Sequence, residues 1–204
     1  MRNAYPTIVA YLVRDKEGFP SLVKYGTSTK DDREAVLHEA MVCWQCTRDQ
    51  AKLLFVSIIN AGTVDGWQSN IKSLTIEPVR WPIFVHTYSA EAARLILVMA
   101  DERPDVVELS REHGVTKKRR DVELYHKSRA LNVTMQEYED LILTTMEDFA
   151  RANEWQFDVL IYDGGLLRRR EGKTEADVRA LMRAMEHEIL CEIGIPIGLE
   201  IKEL

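Results

Sequence analysis

From Trp81 onward, short runs rich in β-branched and aromatic residues alternate with longer stretches whose apolar positions recur every three or four residues. The first pattern predicts strands and the second predicts helices. On that basis residues 81–88 form a strand, 89–100 a helix, 105–110 a strand, 120–127 a strand, 134–153 a helix and 157–163 a strand. In the second helix Tyr138, Leu141, Ile142, Met146 and Phe149 share one face, and Thr134 with Glu137 has capping-box spacing ahead of it. Strand, helix, strand, strand, helix, strand is the βαββαβ order of ferredoxin-like folds, an α+β architecture with two helices on one side of a four-stranded antiparallel sheet.

Either side of this segment the patterns are shorter. Residues 8–13 and 22–25 are rich in strand formers and enclose Asp15-Lys16-Glu17-Gly18, which predicts a hairpin. Residues 30–45 follow neither period clearly. Thr47 and Gln50 have capping-box spacing, and Ala51, Leu54, Phe55, Ile58 and Ile59 then trace a helical stripe up to Gly62. Beyond the break at Gly164-Gly165, a helix over 174–192 places Val178, Leu181, Met182, Met185 and Ile189 on one stripe, and 195–201 reads as an edge strand. No linker-like composition intervenes, so residues 1–80 are expected as a hairpin-helix extension packed on a main domain of 81–204 with a C-terminal helix-strand. Two small α+β modules are the alternative.

Hydrophobic residues make up 46% of the 204 and charged residues 29%, ordinary usage for a globular chain that needs no staple. A net charge of −6 offers no general attraction to phosphate, so nucleic acid would have to be met by local basic patches. Apolar runs fall short of the ~20 residues that span a bilayer, and the N-terminus lacks a secretory pattern, which predicts a cytoplasmic protein that does not enter a membrane. Three cysteines predict reduced thiols rather than a disulfide framework. No cofactor is implied.

Cys43-Trp44-Gln45-Cys46 is a C-x-x-C read as lying just ahead of a capped helix, where terminal N–H groups would favour a thiolate. Cys43 and Cys46 are therefore redox candidates, although the strand-helix context of thioredoxin-like enzymes is missing. A zinc site would need two more ligands. His187 and Cys191 share a helix face, but nothing brings them to the C-x-x-C, and compact, partly buried thiols are the simpler reading. His126-Lys127-Ser128 matches the H-x-[ST] motif of two-histidine phosphoesterases, whereas His86-Thr87-Tyr88 departs from it, and the two would sit at opposite ends of the sheet.

In the predicted sheet Ile83, Val85, Val122, Leu124, Val159 and Ile161 suit the helix-covered face. Phe84, Tyr125 and Tyr162 are left on the other, where they could stack bases or pack a partner. Two basic runs, Lys117-Lys118-Arg119-Arg120 and Arg168-Arg169-Arg170, could hold phosphates or an acidic partner.

Residues 81–165 resemble the RraB-like domain of bacterial ribonuclease E inhibitors. The likeness lies in Trp81 to Tyr88 leading into Ser89-Ala90-Glu91-Ala92-Ala93, in Thr134 and Glu137 opening a long helix that reaches Phe149-Ala150, and in Tyr162-Asp163-Gly164. Gly165 stands where members carry tryptophan. The resemblance implies a ferredoxin-like regulator that binds a protein without catalysis. Together these readings lead to a non-enzymatic regulatory or inhibitory protein that binds a protein partner, such as a nucleic-acid-processing enzyme, through the two basic runs with Phe84, Tyr125 and Tyr162. A nucleic-acid-binding protein and a C-x-x-C thiol-disulfide enzyme are the alternatives, and a homodimer is compatible with the sequence.

Overall fold

The computed structural model describes residues 1, 4–27, 29–71, 78, 80–114, 121–161, 164–168 and 172–201. In chain order these form α1 (Ala4–Val13), α2 (Pro20–Thr27), α3 (Lys30–Trp44), α4 (Arg48–Ile59), α5 (Val64–Asn70), α6 (Ile83–Glu102), α7 (Pro104–His113), α8 (Val122–Ala152), β1 (Gln156–Ile161), β2 (Gly164–Arg168) and α9 (Glu175–Ile193). Among the described residues the only sheet is the antiparallel pair β1 and β2, with Gln156 opposite Arg168 and Phe157 opposite Leu167. The expected ferredoxin-like βαββαβ fold is therefore corrected to a largely helical one.

The reasons lie in particular residues. The run expected as a strand at 81–88 opens α6. Val85, Tyr88, Ala92, Leu95, Ile96 and Met99 continue one buried stripe at helical spacing, and Pro82 enters it at φ −53°. The strand expected at 105–110 is α7, where Pro104 occupies the first turn, the position whose missing N–H costs a helix nothing. The described part of 120–127 begins α8, which runs on through Thr134. That threonine caps nothing; it is buried in mid-helix and its Oγ1 accepts from Arg103 Nη1 at 3.5 Å. The expected hairpin is likewise α1 and α2. Between them the turn survives, with Lys16 N–H donating to Val13 O at 3.0 Å and Gly18 at φ +90°, where a side chain would be strained.

Other expectations hold. Thr47 and Gln50 form the capping box of α4, the β1 strand begins one residue before the expected one, and the helix expected over 174–192 is α9; a capping box between Thr174 and Asp177, which the sequence reading did not name, starts it. Among the described residues beyond α9 the expected strand at 195–201 reduces to a single bridge residue, Gly198, with Ile195 and Ile197 buried.

The chain folds into two compact units, one from Met1–Leu12 and Met135–Leu204, the other from Val13–Thr134. Position 80, the expected boundary, falls inside the second. The first unit has a core of Ala150, Trp155, Leu181 and Met185, against which Phe149, Phe157, Leu167, Val178 and Leu199 pack. Gly165 belongs to this arrangement: a Cβ there would lie 2.0 Å from the Phe157 ring, so the ring takes the space that a side chain would need.

In the second unit α6 packs against α2, α4 and α7, while α4 also packs against α3 and α5. By length and composition α6 is apolar enough to cross a membrane, but it also carries Glu91 into the interior. Glu91 Oε2 accepts from the backbone N–H groups of Ser21 and Leu22 at 2.8 and 2.9 Å, so a carboxylate of one helix caps the start of another. Below it Tyr25 stacks on Phe55 at 4.6 Å, and Tyr88 meets both rings edge-on at 5.4 and 5.1 Å. Burial pushes the Tyr25 hydroxyl up to about 12 and raises that of Tyr88 further.

Candidate functional site

The buried stripe of α3 is Arg33, Val36, Leu37, Ala40 and Trp44, which fixes the opposite side of this helix as its outer face. Val42 lies off the stripe and points outward, 64% exposed. The helix stops at Gln45, whose left-handed backbone (φ 48°, ψ 44°) turns the chain sharply toward α4. On another part of the unit, Pro82 starts α6 and leaves Ile83 in the first turn before the buried stripe begins. Ile83 is 69% exposed.

These two places meet in one open groove of about 600 Å³. His38, Glu39, Val42 and Cys43 line it from α3; Arg80, Trp81, Pro82 and Ile83 line it from the segment that enters α6. Cys43 Sγ lies 3.7 Å from the Arg80 carbonyl oxygen, which its thiol can reach as a weak donor joining the two walls. Trp81 is braced from behind. Its ring stacks on His86 at 5.1 Å and tilts against Trp44 at 6.4 Å, and Trp44 in turn meets Trp67 edge-on at 5.5 Å. Trp67 Nε1 donates to Gln50 O at 3.0 Å, tying this aromatic stack to α4. The groove floor is therefore fixed while its apolar rim is open.

The C-x-x-C does lie just ahead of the capped start of α4, but its first cysteine, Cys43, stands in the last turn of α3 and so meets the carbonyl end of that helix's dipole. Burial raises the thiol pKa of Cys43, and burial raises that of Cys46, with Cys43 adding to the effect. Cys46 is buried with its Sγ 3.8 Å from Ala40 O. Both shifts run away from the thiolate that C-x-x-C chemistry uses. His187 and Cys191 do touch, with Nδ1 and Sγ 3.5 Å apart on α9, but they belong to the other unit. Among the described residues no group of three or more histidines, cysteines and carboxylates could hold a metal.

The other expected site residues are scattered. Phe84 is half-buried, 6.1 Å from both Phe55 and Tyr88, with Lys24 Nζ 5.8 Å from its ring. Tyr125 is on α8, edge-on to His126. No sheet face carries the two together, because neither lies on a strand. Arg168 Nε donates to Asp158 Oδ2 at 2.9 Å across the β pair. Lys117, Lys118, Arg119, Arg120, Tyr162, Arg169 and Arg170 lie outside the described residues. His126 is buried with Nδ1 2.9 Å from Ser110 Oγ, and His86 is taken up by Trp81, so each histidine of the H-x-[ST] comparison has its own local partner.

The sequence reading passed over Val42, Trp81 and Ile83 as site residues. One signal was present: Val42 is a β-branched apolar residue that falls between the inward positions of α3. With the groove described, the chain was compared with known proteins. It matches no family model, no curated protein and no solved structure.

Proposed function

We propose that the protein is a non-catalytic regulator that binds a protein partner, and that a helix of the partner docks in the groove between the end of α3 and the start of α6. One observation carries this reading. Among the described large apolar side chains, the two most exposed, Ile83 and Val42, line the same groove beside Trp81 and Pro82. Scattered exposed apolar residues need no explanation, but apolar residues converging on a rigid aromatic floor have the make-up of an interface centre. Among its described residues the groove shows no hydrogen-bonded pair of nucleophile and base: burial raises the Cys43 thiol, and His38 bonds to neither an acid nor a nucleophile there.

Backbone accounting supports a helix as the occupant. An extended peptide gains affinity by adding to an unpaired sheet edge. This groove offers no sheet edge among the described residues: one wall is α3, whose end is closed by Gln45 N–H and Cys46 N–H both pointing to Met41 O, and the other is the segment Arg80–Trp81 with the first turn of α6, where Val85 N–H points to Pro82 O. An occupant must satisfy its own backbone hydrogen bonds, which a helix does.

Full burial of a side chain such as Ile83 contributes ~1.5–3 kcal/mol. Replacing it with aspartate should therefore weaken binding by about 10- to 100-fold. The test is to retain proteins on the immobilised chain, purify those lost on Ile83→Asp, and measure their affinity for wild type, Ile83→Asp and Leu141→Asp, the last altering an exposed apolar residue in the other unit. Partners that bind wild type and Leu141→Asp equally, and Ile83→Asp far more weakly, support the reading. Partners indifferent to Ile83 refute it, as does self-association lost on Ile83→Asp, which would give the groove to a second copy of the chain.

A further inference from the structure

Building on the docking reading above, we infer that the partner's helix is cationic along the edge that faces α3, with basic residues two helical turns apart. The reason begins on the outer face of α3. Asp31, Ala35, His38 and Val42 follow one another at spacings of four, three and four, so they form a single stripe along the helix. All four are exposed. His38 and Val42 line the groove together with Glu39, while Asp31 and Ala35 carry the same face beyond it. Rows of residues three and four apart are what helices interlock when they pack, so a second helix can follow this seam.

The seam has charges of one sign left over. Asp31 and Glu39 are eight residues apart, which at 1.5 Å per residue sets them about 12 Å apart along the axis. Among the described residues neither takes part in an ion pair or a side-chain hydrogen bond. The other carboxylates near this seam are already engaged: Glu34 accepts from Arg48 Nε at 2.7 Å, and Asp32 accepts from the Thr29 hydroxyl at 2.7 Å. The two cations of α3 do not answer for the remaining pair, since Arg33 belongs to the buried stripe and Lys30 stands one turn from Glu34.

A lysine or arginine of the docked helix can reach each of the two carboxylates. Seven residues bring a helix back to the same edge after a rise of about 10.5 Å, close to the separation of Asp31 and Glu39. The opposite wall sets the sense. Arg80 is exposed there, without an ion pair among the described residues, so a cationic edge turned toward it is repelled and one turned toward α3 is attracted. At longer range the net charge of −6 favours the same partner. Val42, Trp81 and Ile83 hold an apolar stripe; Asp31, Glu39 and Arg80 select which helix brings it.

The test uses the full chain and two synthetic peptides, each stapled as a helix and carrying one stripe of leucines. In one, lysines seven residues apart flank the stripe; in its twin, glutamates take their place. The chain should bind the lysine peptide at least about tenfold more tightly than the twin in low salt, and added salt should narrow the gap. Asp31→Lys combined with Glu39→Lys, both at exposed positions, should abolish this preference with helicity by circular dichroism unchanged. Ile83→Ser removes an apolar contact without adding charge and should weaken both peptides alike. Equal affinity for the two peptides, binding by neither, preference for the twin, or a lysine preference that survives the double variant would each overturn the assignment of charge. The groove itself is read separately: peptides that discriminate by charge yet ignore Ile83→Ser would overturn the docking site, whereas peptides bound equally and lost on Ile83→Ser would leave it standing.

Discussion

Two regions built on α6 answer opposite needs. Where α2 meets this helix, polar groups find partners across the junction: Glu91 takes two backbone N–H groups, and the Ser21 hydroxyl donates to Thr87 Oγ1 at 2.9 Å. The rings of Tyr25, Phe55 and Tyr88 close the space beneath. Where α3 meets the start of the same helix, the aromatic floor is equally well braced, but Val42 and Ile83 stay in solvent. The first region is complete by itself. The second has an aromatic floor whose rim stays uncovered, and this difference separates side chains that serve the fold from those on which the proposed docking rests.

If that distinction is real, variants of the two regions must fail in different ways. The largest effect belongs to Glu91→Ala. It removes two charge-assisted hydrogen bonds and leaves buried donors unmatched at the start of α2, so urea unfolding should show a loss of about 3 kcal/mol. A loss under about 1 kcal/mol would mean that the junction is not the closed structure described.

Next is alkaline stability. Tyr25 ionises at about 12 when folded against its ordinary 10, so the unfolded chain gives up this proton first. Stability is full below pH 10 and falls between pH 10 and 12, by roughly 2–3 kcal/mol from this hydroxyl alone. Tyr88, raised in the same direction by burial, deepens the fall. Tyr25→Phe should flatten the slope above pH 10 in a series of denaturation curves.

Smaller still is Thr47→Ala, which opens the capping box of α4 and should cost about 1 kcal/mol. Smallest is Ile83→Asp, which should change unfolding free energy by less than about 0.5 kcal/mol, as for ordinary surface positions. The sharpest contrast is its pairing with binding, since the least destabilising of these variants should be the one that loses the partner. A clear drop in stability for Ile83→Asp would dissolve the comparison.

The parts of the fold legible in the sequence were those whose signals are local. Thr47 with Gln50 announces a helix start through side chains that bond to their own neighbours, and α9 is announced by an apolar stripe that keeps helical spacing along its length. Misreading began where composition and period disagreed. Residues 83–88 are β-branched and aromatic, the composition of a strand, yet their apolar positions extend the helical stripe of the residues that follow; packing against α2 and α4 decides for helix. Thr134 and Glu137 have the spacing of a start signal in the middle of α8, where the backbone donors are already used. Of the groove residues, only Cys43 was a site candidate in the sequence, and for chemistry that its place at a helix C-terminus disfavours. Exposure of Val42 and Ile83 depends on which helices leave them uncovered, and that is a property of the assembled unit rather than of any window of sequence.

The seat of Phe157 against Gly165 has a bearing on descent. Any side chain at 165 would have to evict that ring from its packing beside Trp155 and Met185, so the two sites are tied to one another. Through divergence they should change as a pair, a bulky residue arising at one only in lineages that have already shed the aromatic at the other.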